Sequence, residues 1–247
     1  MKNYISFSLY GEKQIYNIGA IENLKLCKEI YPGWTPIVYV DTEVPESILD
    51  GLRINGGLVI NGSTELSQNK MAWRFAAALI DDAEKVIFRD ADSRVSPREK
   101  DCVEAWLKSG KALHIMRDHP FHSNWIMGGM WGVDAKAARP HISRILSKAQ
   151  GIQVGEDQYL LAGELYRNLR EETLIHDSFF RREKWAESFP TPRDGAQFVG
   201  ERINENGIPE ISMREMLISY ERSNLLRLRL RAQDWRRTRT EQKLHFK

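Results

Sequence analysis

Cysteine is nearly absent from this sequence. Cys27 and Cys102 are the only two in 247 residues, and both fall in helix-like patterns, which excludes a disulfide framework. Long apolar runs are absent too. Nothing approaches the ~20 residues that cross a bilayer, and Met1-Lys2-Asn3-Tyr4 runs into strand-like residues without a signal-like segment. A cytoplasmic location is therefore the expectation. No repeat or low-complexity stretch stands out. Net charge is scarce as well, with 36 Lys and Arg against 34 Asp and Glu, or +2. The chain as a whole has no strong electrostatic pull on nucleic acid, and none is expected as a partner.

What charge there is lies unevenly. Between Glu221 and Lys247 there are nine Lys or Arg and three Asp or Glu, a net +6, which leaves the first 220 residues at −4. We read residues 1–212 as one domain and 213–247 as a basic helical tail. Leu225-Leu226-Arg227-Leu228-Arg229-Leu230-Arg231 and Trp235-Arg236-Arg237 mix apolar and cationic residues. That mixture suits either a peripheral contact with the inner face of an anionic membrane or a solvated terminal helix.

Strand and helix patterns alternate through the first half. Strands are expected at Tyr4–Leu9, Pro36–Val40, Leu58–Ile60, Val86–Phe88 and Ala112–Met116. Helices are expected at Tyr16–Tyr31, Pro45–Leu52, Met71–Ile80 and Pro97–Lys108, the last opened by Ser96-Pro97 and stopped at Gly110. Such alternation predicts an α/β fold with a mainly parallel central sheet flanked by helices. Later, the glycine-rich, aromatic stretch Met127–Val133 reads as a strand preceded by a close backbone approach. Ala137–Ala149 reads as a helix despite Pro140. A second helix follows Gly155-Glu156-Asp157-Gln158 through Tyr166, and Thr173–Ile175 reads as a strand ending at His176-Asp177. Residues 178–209 are mostly loop.

The run Val86-Ile87-Phe88 stops in charge at Arg89-Asp90-Ala91-Asp92-Ser93-Arg94. Ligands of open α/β sheets bind beyond the carboxyl ends of strands. In an extended segment Asp90 and Asp92 share a face, and two close carboxylates repel unless a cation lies between them. Mg²⁺ or Mn²⁺ fits, held by one or two carboxylates plus substrate phosphates. The plainer reading is an Asp-rich turn. Arg74, Arg94 and Arg117 are candidate oxyanion contacts, because guanidinium binds such groups in a bidentate fork. On the Met71–Ile80 helix, Arg74 is either solvated or held inward by an anion. His119 and His122, after a strand end, either contact a sugar or move a proton, or are simply exposed. Tyr10 either stacks on a base or belongs to the core.

Taken in order, these features resemble the nucleotide-sugar glycosyltransferases of the GT-A fold. The resemblance spans about residues 4–180 and rests on the opening strand Ile5–Tyr10, Asp90-Ala91-Asp92, Gly128-Gly129-Met130-Trp131-Gly132, and Glu156-Asp157-Gln158 before His176. The surroundings of the Asp-x-Asp and Ile115–Pro120 are also similar to glycosyltransferases of bacterial surface-polysaccharide loci. The resemblance implies a nucleotide-diphosphate sugar donor and a glycan or lipid-linked glycan acceptor. It implies a metal site of Asp90, Asp92 and His176, and a donor site drawing on Ser8, Tyr10, Arg74, Asp90, Arg94, Arg117 and His119. Asp157, with Glu156, is implied as catalytic, either as the base for the acceptor hydroxyl in inverting enzymes or as the acid that orients the donor sugar in retaining, glycogenin-like ones. Asp157 as a plain helix cap and His176 as a capping residue are the structural alternatives.

Two other functions compete. A haloacid-dehalogenase-type phosphatase also carries Asp-x-Asp after a buried strand, with the first Asp as nucleophile. Here the motif lies far from the N-terminus, and no convincing later Lys and paired-Asp motif follows. A sugar nucleotidyltransferase would need a glycine-rich phosphate loop near the first strand, which is missing. The remaining alternative is a non-catalytic sugar- or nucleotide-binding module.

Overall fold

The first strand, β1 (Lys2–Leu9), serves two apolar layers at once. Side chains alternate across a strand, so Ile5, Phe7 and Leu9 enter one core with Leu24, Val38, Ile87 and Trp106. Tyr4, on the other face, joins Trp73, Phe75, Phe88 and Trp131. Both faces are covered, as expected for a parallel sheet flanked by helices.

The computed structural model describes residues 1–66, 69–149 and 156–245. After β1 come α1 (Gln14–Ile30), β2 (Trp34–Val40), α2 (Glu46–Ile54), β3 (Leu58–Asn61) and the short α3 (Gly62–Glu65). A 3₁₀ helix (Lys70–Leu79) leads to β4 (Ala83–Phe88), α4 (Pro97–Ser109) and β5 (Leu113–Arg117). β6 (Trp131–Asp134), α5 (Ala135–Lys148), α6 (Asp157–Leu160), α7 (Arg167–Leu169) and β7 (Thr173–Asp177) follow, and α8 (Ile211–Arg222) and α9 (Asn224–His245) close the described chain. The sheet order is β3-β2-β1-β4-β6-β5-β7. All pairings are parallel except those of β6, which is antiparallel to both β4 and β5. The α/β architecture with a mainly parallel sheet is therefore as the sequence predicts.

Local signals explain most elements. Ser96 Oγ accepts from the Glu99 N–H at 3.3 Å to start α4, and Gly110 ends it at φ +69°. Three expectations change. The helix over 71–80 is a 3₁₀ helix, in which Ser8 Oγ accepts the Arg74 N–H at 2.9 Å. The strand expected from Met127 begins only at Trp131, because Met127–Met130 forms a turn closed by Met130 N–H to the Met127 carbonyl at 3.2 Å. One side of the basic tail, among the described residues, packs on the domain. Leu217 and Tyr220 of α8 are buried with Phe179 and Phe198, Leu226 and Leu230 of α9 pack beside them, and Asp234 is ion-paired to Arg182. No helix among the described residues is long and apolar enough to cross a membrane.

Candidate active site

β1 and β4 are adjacent and parallel, so the chain leaving both opens onto one crevice. A cavity of about 260 Å³ there is lined by Ser8, Tyr10, Tyr16, Met71, Arg74, Asp90, Ala91 and Asp92. Asp90 and Asp92 are not on an extended strand as the two-residue period suggests. They sit in a turn, with the Ser93 N–H bonded to the Asp90 carbonyl at 3.4 Å, and the turn turns both carboxylates to the same cavity. The turn is anchored from behind. Asn23 of α1 donates to the Ser93 carbonyl at 2.8 Å and accepts from the Val95 N–H at 3.0 Å.

Arg74 is the hub. Ser6 Oγ donates to its carbonyl at 2.7 Å and Ser8 Oγ accepts from its N–H, so two β1 hydroxyls fix its backbone. Its guanidinium bonds the Asp90 carboxylate and lies 3.8 Å from Asp157 Oδ2. The anions that hold Arg74 inward are thus these two side chains. Burial disfavours its charge, but Asp90 and Asp157 outweigh burial and keep it cationic. Burial pushes the Asp157 carboxyl above the usual range, against the pull of Arg74. Burial also raises Asp92, aided by the charge of Asp90 and opposed by Arg202. Arg202 Nε lies 3.2 Å from Asp92 Oδ2, and the Ile203 N–H donates to the Asp92 carbonyl at 2.8 Å.

The glycine pair forms the back wall. A Cβ on Gly129 would overlap the Asp90 carboxylate, and one on Gly128 would stand 2.8 Å from Arg74 Nη2 and 3.0 Å from Asp157 Oδ2. Only glycine permits this approach.

Ser8, Tyr10, Arg74, Asp90 and Asp92 therefore line one cavity, with Asp157 behind Arg74. Other expected site residues are not brought there. Arg94 turns toward α1 and donates to the Ser93 carbonyl at 2.9 Å. Arg117 is fully buried between Asp177, at 3.1 Å, and Glu183, where it holds the fold rather than a phosphate. His119 is buried with both nitrogens engaged. Nδ1 accepts from the Phe121 N–H at 3.0 Å, so Nε2 carries the proton it donates to the Met213 carbonyl at 3.0 Å. His122 is likewise buried, accepting from the Asp118 N–H at 3.1 Å. His176 is buried on β7, 2.9 Å from a ring nitrogen of His114, because its strand position faces the Trp106 layer. Among the described residues, no three His, Cys, Asp or Glu side chains converge on a point that could hold a metal ion, so His176 does not complete a shell with Asp90 and Asp92. Glu156 is exposed in the turn before α6, and Gly155 lies outside the described residues.

Sequence reasoning missed Ser6 and Arg202. A serine on the apolar face of a strand was a usable signal for Ser6. Arg202 lies in an irregular segment 110 residues from Asp92, and nothing local marks it.

No family model and no curated protein matches this sequence. Solved structures do. TarS from S. aureus (residues 1–349) superposes with a TM-score of 0.51 at 12% identity, over 72% of this chain and 58% of that one. Its complex with UDP gives the same score at 13% identity over the same shares. The chain thus spans little more than half of TarS 1–349. Glucosyl-3-phosphoglycerate synthase from Mycobacterium tuberculosis, with Mn²⁺, UDP-glucose and phosphoglyceric acid, matches at 0.48 and 11% identity over 70% of this chain and 68% of that one. At these identities the likeness speaks for architecture alone. By its sheet order, its single antiparallel strand and the superpositions on TarS, the chain has the GT-A fold.

Proposed function

We propose that this protein transfers a sugar from a nucleotide-diphosphate donor to a hydroxyl of a bacterial surface glycan or lipid-linked intermediate, in a catalytic unit of residues 1–212. The observation that carries the reading is the Asp90–Asp92 turn facing a cavity with Arg74 and Asp157 behind it. Breaking the bond from an anomeric carbon to a diphosphate leaves negative charge on the departing oxygen, and catalysis consists largely of stabilising it.

A divalent ion fits this donor set. Asp90 and Asp92 are hard oxygen ligands on one turn at one cavity, and Mg²⁺ or Mn²⁺ is commonly held by one or two carboxylates completed by substrate phosphates. Such an ion would neutralise the leaving diphosphate. The chain's own residues supply the rest. Arg74 fixes the orientation of Asp90, Ser8 fixes Arg74, and Tyr10 at the cavity edge suits the base or ribose. Asp157, buried and held above the usual carboxylate range, serves either as base for the acceptor hydroxyl or as the group that orients the donor sugar.

A phosphatase that uses Asp90 as nucleophile is disfavoured. The Asp90 carboxylate is bonded to the buried Arg74 guanidinium, which draws charge from the oxygen that would have to attack. The exposed Leu225 and Leu228 of α9 supply a peripheral contact with the membrane.

The test is release of nucleoside diphosphate from a panel of nucleotide sugars with Mn²⁺. UDP-sugars come first, because TarS has been crystallised with UDP. Turnover of at least one donor, lost in Asp92→Asn, supports the reading. Turnover that Asp92→Asn leaves unchanged contradicts it.

A further inference from the structure

A second, larger recess of about 750 Å³ lies between α9 and the segment that follows β7. Arg181, Arg182, Arg231 and Arg239 line it, with Phe180 and Trp235 among its apolar surfaces. Among the described residues its acidic lining is Asp234 alone, already committed to Arg182, whose Nε lies 2.8 Å from Asp234 Oδ2. The described lining therefore carries a net +3. Converging like charges destabilise a fold unless an anion or solvent offsets them.

Three features make this more than a solvated basic face. The Arg182 side chain is 3% exposed, yet its Nη1 is buried without a hydrogen-bond partner, as is Thr238 Oγ1 on the same lining. Buried donors are normally paired, so these are unmet polar groups beside a concave space. Arg181 also adopts the left-handed region at φ +45°. That conformation is costly for a non-glycine residue and tends to gather at ligand sites. Arg239 lies 4.5 Å from the Trp235 ring centroid, so guanidinium and an aromatic face are offered side by side.

The recess is mechanically joined to the candidate active site. Arg182 Nη2 donates to the Ser123 carbonyl at 2.6 Å, and Arg237 Nη1 donates to Ser123 Oγ at 2.6 Å and Asn124 Oδ1 at 3.3 Å. Asn124 in turn donates to Gln158, the neighbour of Asp157.

We propose that this recess binds the oxyanion-bearing part, phosphate or carboxylate, of an acidic sugar acceptor, whose hydroxyl then reaches the Asp157 side of the cavity. The assignment of the ligand as acceptor rests on the transferase reading; the anion site itself does not. Concavity, buried donors and an aromatic wall fit a discrete acidic glycan better than the plane of a membrane.

The test is calorimetric binding to the full chain without nucleotide. The probes are a hexameric oligogalacturonate, an oligo(glycerol phosphate), neutral maltohexaose, and vesicles of phosphatidylglycerol and phosphatidylcholine. At least one acidic oligomer binds about tenfold or more tightly than maltohexaose, weakens with added salt, and loses about tenfold in Arg231→Glu/Arg239→Glu. The double Lys variant keeps the charge and retains part of that affinity, which guards against a merely structural effect. Which oligomer responds separates phosphate from carboxylate. Equal binding of acidic and neutral oligomers, or acidic binding untouched by charge reversal, overturns the proposal. Binding of the vesicles alone overturns it in favour of a membrane surface. Because no nucleotide is present, a failure of donor turnover leaves this outcome readable.

Discussion

Arg74 and Arg117 are both buried guanidiniums, and each faces two carboxylates. Around Arg117 the pocket is closed. Asp177 and Glu183 are at most 1% exposed, and the Tyr166 hydroxyl covers the other Glu183 oxygen at 2.7 Å. Around Arg74 one wall is open, since Asp90 is 45% exposed and lines the cavity. The same chemistry thus serves two ends. A closed cluster ties β5 and β7 to the segment after them; an open one presents a fixed carboxylate to a ligand. Burial of the arginine does not separate the two. Access to its partner does.

The contrast is broken most forcefully at the closed cluster. Arg117→Ala leaves Asp177 and Glu183 buried without their cation, which typically costs ~3–5 kcal/mol. For a chain of this size that is a fall of about 6–20 °C in melting temperature. Differential scanning calorimetry measures it, and a fall of only a degree or two would remove the structural role given to Arg117.

At the open cluster the large effect is on rate. Asp92→Asn lowers donor turnover by ~10²-fold or more. Its apo stability stays within ~1 kcal/mol, because the partner Arg202 is half exposed. Parallel turnover and calorimetric measurements of that variant separate catalysis from folding.

Gly129→Ala probes the wall between the two functions. Its Cβ collides with Asp90, so we expect ~1–3 kcal/mol of destabilisation together with weaker nucleotide binding. Urea unfolding and nucleotide titration read the two effects, and an unchanged nucleotide affinity would uncouple Gly129 from the site.

Acid sharpens the comparison further. Burial pushes His122 down to about 3 and His176 to about 4. Both are neutral in the fold but take up a proton when unfolded below the ordinary histidine value of ~6.5. Stability is therefore fully present above that value and is lost as pH falls toward 4, by about 1.4 kcal/mol per pH unit for each ring. Urea midpoints at pH 7 and pH 5 test this, and equal midpoints would contradict the burial of these rings. The smallest effect belongs to Arg202→Ala. Its exposed pair with Asp92 is worth under ~1 kcal/mol to folding, so the melting temperature barely moves. A fall of more than a few degrees would show that the 201–210 segment depends on that pair.

Much of the fold and part of the site are legible in the sequence, but the division between the two arginines is not. The Asp-x-Asp after a buried strand, the α4 boundaries at Ser96 and Gly110, and the close approach at Gly128-Gly129 are local signals with local causes. Arg74, Arg94, Arg117 and His119 looked alike, because a charged residue near a strand end says nothing about which neighbour it meets. Their partners lie elsewhere in the chain: Glu183 for Arg117, Met213 for His119, Asp157 for Arg74. The 90–93 turn replaced the expected extended geometry, since Asn23, a helix residue remote in sequence, anchors it. The docking of α9 depends on Arg182 and Ser123 in the same way.

The central claim is that the open cluster is a metal-assisted nucleotide site. The most direct measurement is a thermal-shift panel of nucleoside diphosphates with Mn²⁺ and then with EDTA. A ligand present at ~100 times its Kd stabilises the native state by ~2.7 kcal/mol, a rise of several degrees. The account predicts that rise for one nucleotide with Mn²⁺ and its loss with EDTA. No rise with any nucleotide in either condition would contradict it.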